Sequence, residues 1–486
     1  MMNIRVFLIF ASIFTASCSS TDDLDLGTVV FANVLYRHGD RTPVGRYKND
    51  PYNETSWPVP YGQLTNLGKH QHLLLGRWLR KRYSHLLSNI YTPYDIYVLS
   101  TDVDRTLMSA EANLAGLYPP VKNQVWDDIK WMPIPVHTIP EKQDYVLKAS
   151  KYCPRYNYEL EKVLTSPKMK RINKANAKLY AYLTENSGNK ISSLEEVNQL
   201  YNILYIQNLY NKTLPQWTKS VFPDKMKPLA ALSFTTEAYN IILQRLKSGS
   251  LLGEMIDHMV KKVQNTLKPD RKIWMYSAHD ETVANMLMTL NLFDLHCPPY
   301  AAMILIELRT NSKNQYLVTI SYKNSTAEPI LMTLPGCNTL CPLNEFINLT
   351  RNAVPEDWER ECLIAWEDIS SSDVIGNYYL SIKYLYLQFA LYNAYIYGLY
   401  IYIYIYIYIY IYIYIYILCI VFIYYHRLKL PRFKILFLVV SAILASSILM
   451  LVLLVLLIIA FIYWRHKKEH RQYYFRLTYN DYNDAI

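Results

Sequence analysis

The sequence lacks a broadly distributed excess of positive charge. Lys and Arg number 50 against 40 Asp and Glu, but more than half of the surplus of 10 falls after residue 426. These basic residues flank an apolar run, residues 435–464, and this placement is typical of charge at a membrane surface. A nucleic-acid partner is therefore not expected.

The apolar segment at the N terminus lacks the length of a membrane span. It covers residues 6–16, follows Arg5 and is followed by small residues up to Ser20. About 20 apolar residues are needed to cross the hydrocarbon layer. We therefore predict that residues 1–18 are a signal peptide that is cleaved on export, and not a membrane anchor. Four N-x-Ser/Thr glycosylation sequons support the prediction of an exported chain, at Asn53, Asn211, Asn324 and Asn348.

Residues 435–464 lack any formal charge and end in two aromatic residues before a basic stretch. This pattern predicts one C-terminal transmembrane helix. Together with a cleaved signal peptide, it predicts a type I membrane protein whose tail, residues 465–486, is cytosolic. In this tail Tyr474 precedes Leu477 with the spacing of the short sorting signals that cytosolic adaptors bind. An ordinary tail is the alternative.

Residues 363–434 lack the mixed composition of a folded domain. Ile and Tyr alternate without a break from Ile401 to Ile417. A strand of this kind would be apolar on both faces and prone to aggregation. We interpret the low-complexity segment as a simple-repeat insertion or an artefact of the gene model. A second membrane segment over roughly residues 399–425 is the competing interpretation.

The remaining residues, 27–362, are expected to form one α/β domain. Apolar stretches predict strands over residues 28–36, 95–100, 273–277, 302–308 and 316–322. Helices are predicted over residues 64–87, 105–117 and 281–290, with Thr65 as the N-cap of the first. A helix-rich middle region, roughly residues 120–260, predicts a smaller α-helical cap domain.

Three polar clusters directly follow predicted strands. They are RHGDRTP at 37–43, STDVDRT at 100–106 and SAHDETV at 277–283. In open α/β sheets ligands bind beyond the carboxyl ends of the strands, so the clusters are expected to face one crevice. Each cluster alone fits an ordinary structural role. Together they bring three arginines and two histidines to the same topological position.

This set of side chains favours a phosphate ligand. Planar guanidinium groups present paired donors that match phosphate oxygens. The candidates are Arg37, Arg41 and Arg105. Positive charge also favours the neutral imidazole of His38, which could then attack phosphorus as a nucleophile. His279 is a further candidate phosphate ligand, and Asp280 is the candidate proton donor to the leaving group. Because an unperturbed Asp has a pKa of about 3.9, we expect an acidic pH optimum.

These motifs resemble the signature of the histidine acid phosphatases, which is R-H-G-x-R-x-P, then S-T-D-x-D-R, then an H-D pair. The similarity extends over roughly residues 28–362, includes LTNLGKHQ at 64–71 and is greatest to the lysosomal and prostatic branch. The resemblance implies a phosphohistidine on His38, proton donation by Asp280 and no metal. It implies phosphate contacts from Arg37, Arg41, Arg105 and His279.

The resemblance also has consequences for architecture. It implies a phosphoglycerate mutase-like fold, with a mixed α/β sheet flanked by helices and a smaller α-helical cap domain. A homodimer is common in this family and is expected here. The signal peptide, the single span and the short tail resemble the lysosomal membrane form, so we expect a lysosomal or cell-surface location.

Cysteine usage departs from the family at one position. Outside the signal peptide and the Ile/Tyr segment five cysteines remain, so they cannot all pair within one chain. The resemblance implies two disulfides, Cys153–Cys362 and Cys337–Cys341. It also places the partner of Cys297 just before the sequon at Asn211, where Ile206 stands instead. Cys297 is therefore expected to be a free thiol.

Two classes of function remain open from the sequence. The first is an active acid phosphatase that hydrolyses phosphate monoesters, outside the cytosol or in the lysosome lumen. The second is a membrane-tethered ectodomain that binds ligands in this pocket without turnover. Among enzymes, a phytase-like preference for inositol phosphates is the alternative, because the helical cap contains no decisive specificity motif.

Overall fold

The computed structural model describes residues 26–149, 153–324, 326 and 328–363, together with isolated residues between 405 and 446. The predicted signal peptide, Ile/Tyr segment, transmembrane helix and tail with Tyr474 lie wholly or largely outside these residues. Among the helices that are described, none has both the length and the apolar character that a membrane span requires. All elements named below belong to the first of two compact units of the chain, Met1–Ile364.

The centre of this unit is an 8-stranded mixed sheet. Its strands are β1 (Thr28–Arg37), β2 (Ile96–Thr101), β3 (His137–Ile139), β4 (Ile273–Ala278), β5 (Met303–Thr310), β6 (Tyr316–Lys323), β7 (Ile330–Met332) and β8 (Cys341–Pro342). The order is β3-β2-β4-β1-β5-β6-β7, and β8 also pairs with β6. The first four strands in this order are parallel, whereas β5 and the strands after it pair antiparallel.

Helices surround the sheet and form an insertion between β3 and β4. They are α1 (Asn66–Arg82), α2 (Asp104–Leu117), α3 (Pro154–Leu164), α4 (Pro167–Ala175), α5 (Ala177–Ser187), α6 (Leu194–Leu209), α7 (Lys227–Ser233), α8 (Ile241–Lys247), α9 (Gly249–Val263), α10 (Asp280–Thr289), α11 (Leu343–Thr350) and α12 (Trp358–Glu361). Short 3-10 helices cover Glu54–Ser56, Lys122–Gln124, Gln216–Ser220 and Arg351–Ala353.

The central strand β1 is buried on both faces because helices cover both sides of the sheet. Phe31 and Leu35 pack on the face that α9 and α10 cover, and Val34 and Tyr36 pack on the face that α1 and α2 cover. Alternate residues of a strand point to opposite faces, so a doubly covered strand is apolar at almost every position. The predicted class, a mixed α/β sheet flanked by helices, is confirmed.

The α-helical insertion is narrower than the cap predicted over roughly residues 120–260. At the start of that range β3 pairs with β2 in the main sheet, and at its end α9 packs into the core beneath the sheet. The insertion therefore consists of α3 to α8. It has two apolar clusters of its own, one around Tyr180 and Leu200 and one around Tyr156 and Leu243.

Some element boundaries differ from the predictions because the apolar pattern continues beyond the end of a helix or is too short to mark a strand. The helix predicted over residues 64–87 begins as expected, since Thr65 accepts a hydrogen bond from the backbone N–H of Gly68, but it ends at Arg82. Tyr83 and Leu87 are still buried in the core, which extends the apolar pattern beyond the helix. The strands β3, β7 and β8 were not predicted because two or three residues carry no readable alternation.

The described residues form two disulfides, and these are the pairs that the resemblance implied: Cys153–Cys362 and Cys337–Cys341. Cys297 is a free thiol that packs at the edge of the apolar cluster around Leu200. Ile206 is fully buried in the insertion. Burial raises the pKa of Cys297 to about 11, so this thiol is almost entirely protonated at neutral pH.

Candidate active site

The carboxyl ends of β1, β2 and β4 lie side by side at one edge of the sheet. Arg37 of β1 is opposite Ala278 of β4, and Ser277 of β4 is opposite Ser100 of β2. The residues that follow these strands are therefore neighbours. The three polar clusters identified in the sequence converge on one crevice, although more than 170 residues separate the second from the third.

The loop after β1 packs tightly against the first turn of α1. Gly39 and Gly68 approach so closely that a Cβ atom on Gly68 would collide with the backbone of Asp40. The backbone N–H of Asp40 also donates to Oε1 of Gln71 at 2.8 Å. This close approach explains why residue 68 is a glycine. It also fixes the path of the loop that carries His38.

Two further buried side chains, Ser109 of α2 and His72 of α1, form hydrogen bonds that hold this loop. The Ser109 hydroxyl accepts a hydrogen bond from the backbone N–H of Gly39 (3.1 Å) and donates to the carbonyl of Arg105 (2.6 Å), which ties the first cluster to the second. His72 of α1 donates from Nε2 to the carbonyl of Arg37 at 3.1 Å. The loop is therefore positioned from α1 and α2 together.

His38 is buried, and its hydrogen bonding fixes which nitrogen is free. Its Nδ1 donates to the carbonyl of Gly39 at 2.7 Å, so Nε2 of the neutral ring keeps its lone pair. Burial first, and then the charges of Arg37 and Arg105, hold the pKa of His38 well below its usual range. The side chain is thus an uncharged imidazole with an available nucleophilic nitrogen.

Arg37 spans the crevice. It donates to the carbonyl of Pro298 at 2.5 Å and pairs with Oδ2 of Asp280 at 2.8 Å, and its guanidinium carbon lies 4.3 Å from the centre of the Tyr300 ring. In this crevice the buried Nε atoms of Arg37, Arg41 and Arg105 have no hydrogen-bond partner among the described residues. Buried guanidinium groups with unused donors are suited to an anionic ligand.

Arg105 and His279 lie against each other on the opposite wall. Nη2 of Arg105 is 3.4 Å from Nδ1 of His279, and the ring centres of His279 and His38 are 5.6 Å apart. Burial and the nearby charge of Arg41 lower the pKa of Arg105 to about 10. Burial also holds the pKa of His279 well below its usual range, and the charge of Lys148 adds to this effect. His279 is therefore neutral as well.

Asp280 is the first residue of α10 and lies where the crevice opens. Its side chain is 17% exposed, whereas that of its partner Arg37 is 7% exposed. The other carboxylate oxygen, Oδ1, accepts from the backbone N–H of Glu281 at 3.1 Å. A carboxyl group in this place can reach a group that leaves toward solvent.

All six predicted site residues lie in this one crevice, but several other side chains that build it have no signal in the sequence. Tyr300, Ser109 and His72 were not identified, because no motif marks them. Lys148 was also not identified, since it lies in the connection between β3 and α3, outside the three polar clusters. Over the described part of the chain, no group of three or more His, Cys, Asp or Glu side chains is placed to hold a metal ion.

The chain belongs to the histidine phosphatase superfamily (branch 2), whose family profile matches residues 28–323. The resemblance to histidine acid phosphatases that the motifs carry is therefore confirmed. The match covers all three polar clusters.

The chain is similar to prostatic and lysosomal acid phosphatases. The chain is 39% identical to prostatic acid phosphatase of Homo sapiens over 341 residues, which is 68% of this chain and 87% of the relative. It is 37% identical to lysosomal acid phosphatase of Rattus norvegicus over 352 residues, 71% of this chain and 82% of the relative. Among solved structures, the phytase of Klebsiella sp ASR1 shares the fold with a TM-score of 0.53 and 18% identity, over 70% of this chain and 99% of the phytase.

Proposed function

We propose that this chain is an acid phosphatase that hydrolyses phosphate monoesters through a phosphohistidine intermediate on His38. The observation that carries the proposal is the state of His38, a buried neutral imidazole whose Nδ1 is tied to Gly39 and whose Nε2 is free beside three arginines. Similarity to prostatic and lysosomal acid phosphatases over most of the domain supports the same reaction.

The first half-reaction transfers the phosphoryl group to the enzyme. Nε2 of His38 attacks phosphorus, the bond from phosphorus to the ester oxygen breaks, and Asp280 gives its proton to the departing alcohol. In the second half-reaction Asp280 takes a proton from water while the water oxygen attacks phosphorus. The bond from phosphorus to His38 then breaks, and inorganic phosphate is released.

The phosphoryl group is held by Arg37, Arg41, Arg105 and His279. Three guanidinium groups in a buried crevice neutralise the charge of the phosphoryl oxygens, and they act strongly because little water is present to screen them. Their unpartnered Nε atoms support this role. The arginines also keep His38 neutral, so the same charges bind the substrate and prepare the nucleophile.

An acidic optimum follows from the role of Asp280. In the structure its carboxylate pairs with Arg37 at 2.8 Å. Proton donation requires the acid instead. Binding of a phosphoryl group draws the same guanidinium toward the substrate, and a low pH supplies the missing proton. The rate with a phosphate monoester should therefore rise as the pH falls below neutral.

The test is the hydrolysis of an aryl phosphate by the full-length glycosylated chain between pH 4 and 8. We expect turnover with an acidic optimum, and we expect His38→Ala to abolish both turnover and the trapping of phosphate on the protein. His70→Ala, an exposed histidine on α1, is the matched control and should remain active. If the wild-type chain binds phosphate but hydrolyses no ester, the chain is a silent binding ectodomain and the proposal is wrong.

The same assay separates an acid phosphatase from a phytase-like enzyme. The similarity to phytase structures is below 25% identity and concerns the fold alone. Inositol hexakisphosphate should therefore be a poorer substrate than a simple aryl or alkyl phosphate. A higher kcat/KM for the inositol phosphate would reverse this assignment.

We further propose the architecture that the sequence predicts: a signal peptide at 1–18, a catalytic domain at 27–362, a span at 435–464 and a cytosolic tail whose Tyr474 binds a sorting adaptor. Residues 363–434 remain interpreted as an insertion or a gene-model artefact. Two observations support export to the lysosome or the cell surface: four sequon asparagines are exposed, at Asn53, Asn211, Asn324 and Asn348, and two disulfides are present.

A homodimer is also proposed. The connection that leads into the edge strand β3 exposes several large apolar side chains, among them Trp126 and Ile129, each about half exposed. Apolar residues grouped at a sheet edge are suited to an interface between subunits. Light scattering of the full-length chain would give the number of subunits, and replacement of Trp126 by Glu should reduce it.

A further inference from the structure

A hydrogen-bonded chain of three buried side chains lies behind Arg105. Oγ1 of Thr106 is 2.7 Å from the carbonyl oxygen of Val103 and 2.8 Å from Oγ1 of Thr101. Oγ1 of Thr101 is 3.1 Å from Nε2 of His279, and Nδ1 of His279 is 3.4 Å from Nη2 of Arg105. Both threonines are fully buried.

The donor and acceptor in each of these bonds can be deduced from its two ends. A guanidinium group only donates, so Nδ1 of His279 accepts from Arg105 and the ring proton is on Nε2, which donates to Thr101. A carbonyl oxygen only accepts, so the hydroxyl of Thr106 donates to Val103. The hydroxyl of Thr101 must then donate to Thr106. Both ends impose the same direction on the chain.

This direction determines what His279 offers to a ligand. The neutral ring presents a lone pair beside Arg105, and its only proton is turned away toward Thr101. A fully ionised phosphoryl group has only acceptor oxygens, so it cannot form a hydrogen bond with this nitrogen. A singly protonated phosphoryl group has one P–OH, which can replace Arg105 as the donor to Nδ1 while the guanidinium donates to the other phosphoryl oxygens. The bond from Thr106 to Val103 still keeps the ring proton on Nε2. The second pKa of a phosphate monoester is about 6, so the singly protonated form predominates at acidic pH.

We propose that Thr101 and Thr106 are positioning residues that hold His279 as a hydrogen-bond acceptor, so that the site selects the monoanion of its phosphate ligand. This inference rests on the proposed function of the crevice. It adds a contribution of the substrate's own proton to the acidic optimum, beside that of Asp280. The two threonines act through His279 and do not touch the substrate.

Competition between two anions of the same shape tests the inference. Sulfate is tetrahedral like phosphate but carries no proton at pH 5, so the wild-type enzyme should be inhibited more strongly by phosphate than by sulfate. Thr106→Val removes the acceptor of the Thr101 hydroxyl. That hydroxyl can then donate to Nε2 of His279, and the ring proton moves to Nδ1. We expect the preference for phosphate over sulfate to fall about threefold to tenfold, the worth of one hydrogen bond.

The controls separate proton placement from general loosening. Thr106→Ser keeps the hydroxyl and should keep the preference, and Thr350→Val removes a buried hydroxyl bond in α11, far along the chain from the site, and should not alter it. A loosened site weakens both anions alike and leaves the ratio unchanged. The inference is overturned if Thr106→Val retains the wild-type ratio, or if Thr106→Ser loses it to the same extent.

A second measurement needs no variant and does not depend on turnover. The rise in Tm that each anion causes reports its binding to the full-length chain. Between pH 5 and 8 the affinity for phosphate should fall relative to that for sulfate, because phosphate loses the proton that His279 accepts. A constant ratio would overturn the inference even if Thr106→Val does not fold. Failure to hydrolyse an ester would instead refute the proposed function, and the two results are distinguishable.

Discussion

His72 gives the most direct test of how this fold treats a buried histidine. It lies on α1 below the loop of His38, is fully buried, and donates from Nε2 to the carbonyl of Arg37 at 3.1 Å. Its Nδ1 is buried without a hydrogen-bond partner in the described part of the chain. Burial lowers the pKa of His72 from 6.5 to about 4.

The sign of the effect follows from proton binding in the two states. Between pH 6.5 and 4 the unfolded chain binds a proton at this position and the folded chain does not, so the free energy of unfolding decreases as the pH falls. Above pH 6.5 His72 is neutral in both states, so the free energy of unfolding keeps its full value there. With the pKa of His72 near 4 in the fold, the loss is about 2 kcal/mol at pH 5 and about 3 kcal/mol once both states are protonated.

His72→Gln keeps an amide that can donate to Arg37 but cannot titrate. Urea unfolding at pH 7 and pH 5 should show that the wild-type chain loses about 2 kcal/mol more between these pH values than the variant does. His70→Gln, at an exposed position of the same helix, should lose as much as the wild type. Because His38 and His279 are also buried and neutral, only this difference is diagnostic. Equal losses in the variant and the wild type would refute the reasoning.

Three further variants test other parts of the structure. Asp280→Asn should slow hydrolysis of alkyl phosphates far more than of p-nitrophenyl phosphate, whose leaving group needs no proton; equal loss with both substrates would argue against proton donation. Glu307→Gln leaves the buried guanidinium of Arg309 without its 2.6 Å ion pair, so the free energy of unfolding should fall by about 3 to 5 kcal/mol. Asp257→Asn removes an exposed ion pair and should lower the free energy of unfolding by less than about 1 kcal/mol. Tyr210→Phe removes a donor to the buried Asp40 carboxylate and should cost about 1 to 3 kcal/mol in urea unfolding; no change would mean that this bond between the insertion and the loop contributes nothing.

The reactive groups were predictable from the sequence because their positions are local. Arg37 is the last residue of β1, and His38 and His279 directly follow β1 and β4. Parallel strands of one sheet end at the same edge. Residue type at a strand end was therefore sufficient to predict which side chains meet at this edge. Thr65 was predictable for the same kind of reason, since an N-cap is a property of four consecutive residues.

Other features depended on which segments pack together. Ser109 holds Gly39 from 70 residues away, and Tyr300 lies under Arg37 because the chain returns after α10. The width of the insertion was overestimated because a strand of three residues, β3, has no sequence pattern, although its pairing with β2 assigns it to the main sheet.

The sequence by itself determined which chemical groups this protein has and that they collect at one edge of a sheet, because strand ends and polar clusters are local features. Only the tertiary structure decided how deeply these groups are buried and which side chains from distant segments they contact. Nε2 of His279 lies 3.1 Å from Oγ1 of Thr101, 178 residues away, and burial lowers the pKa of His38 more than the charges of the nearby arginines do. Burial and contacts of this kind depend on which distant segments pack together, and no local sequence pattern encodes that packing.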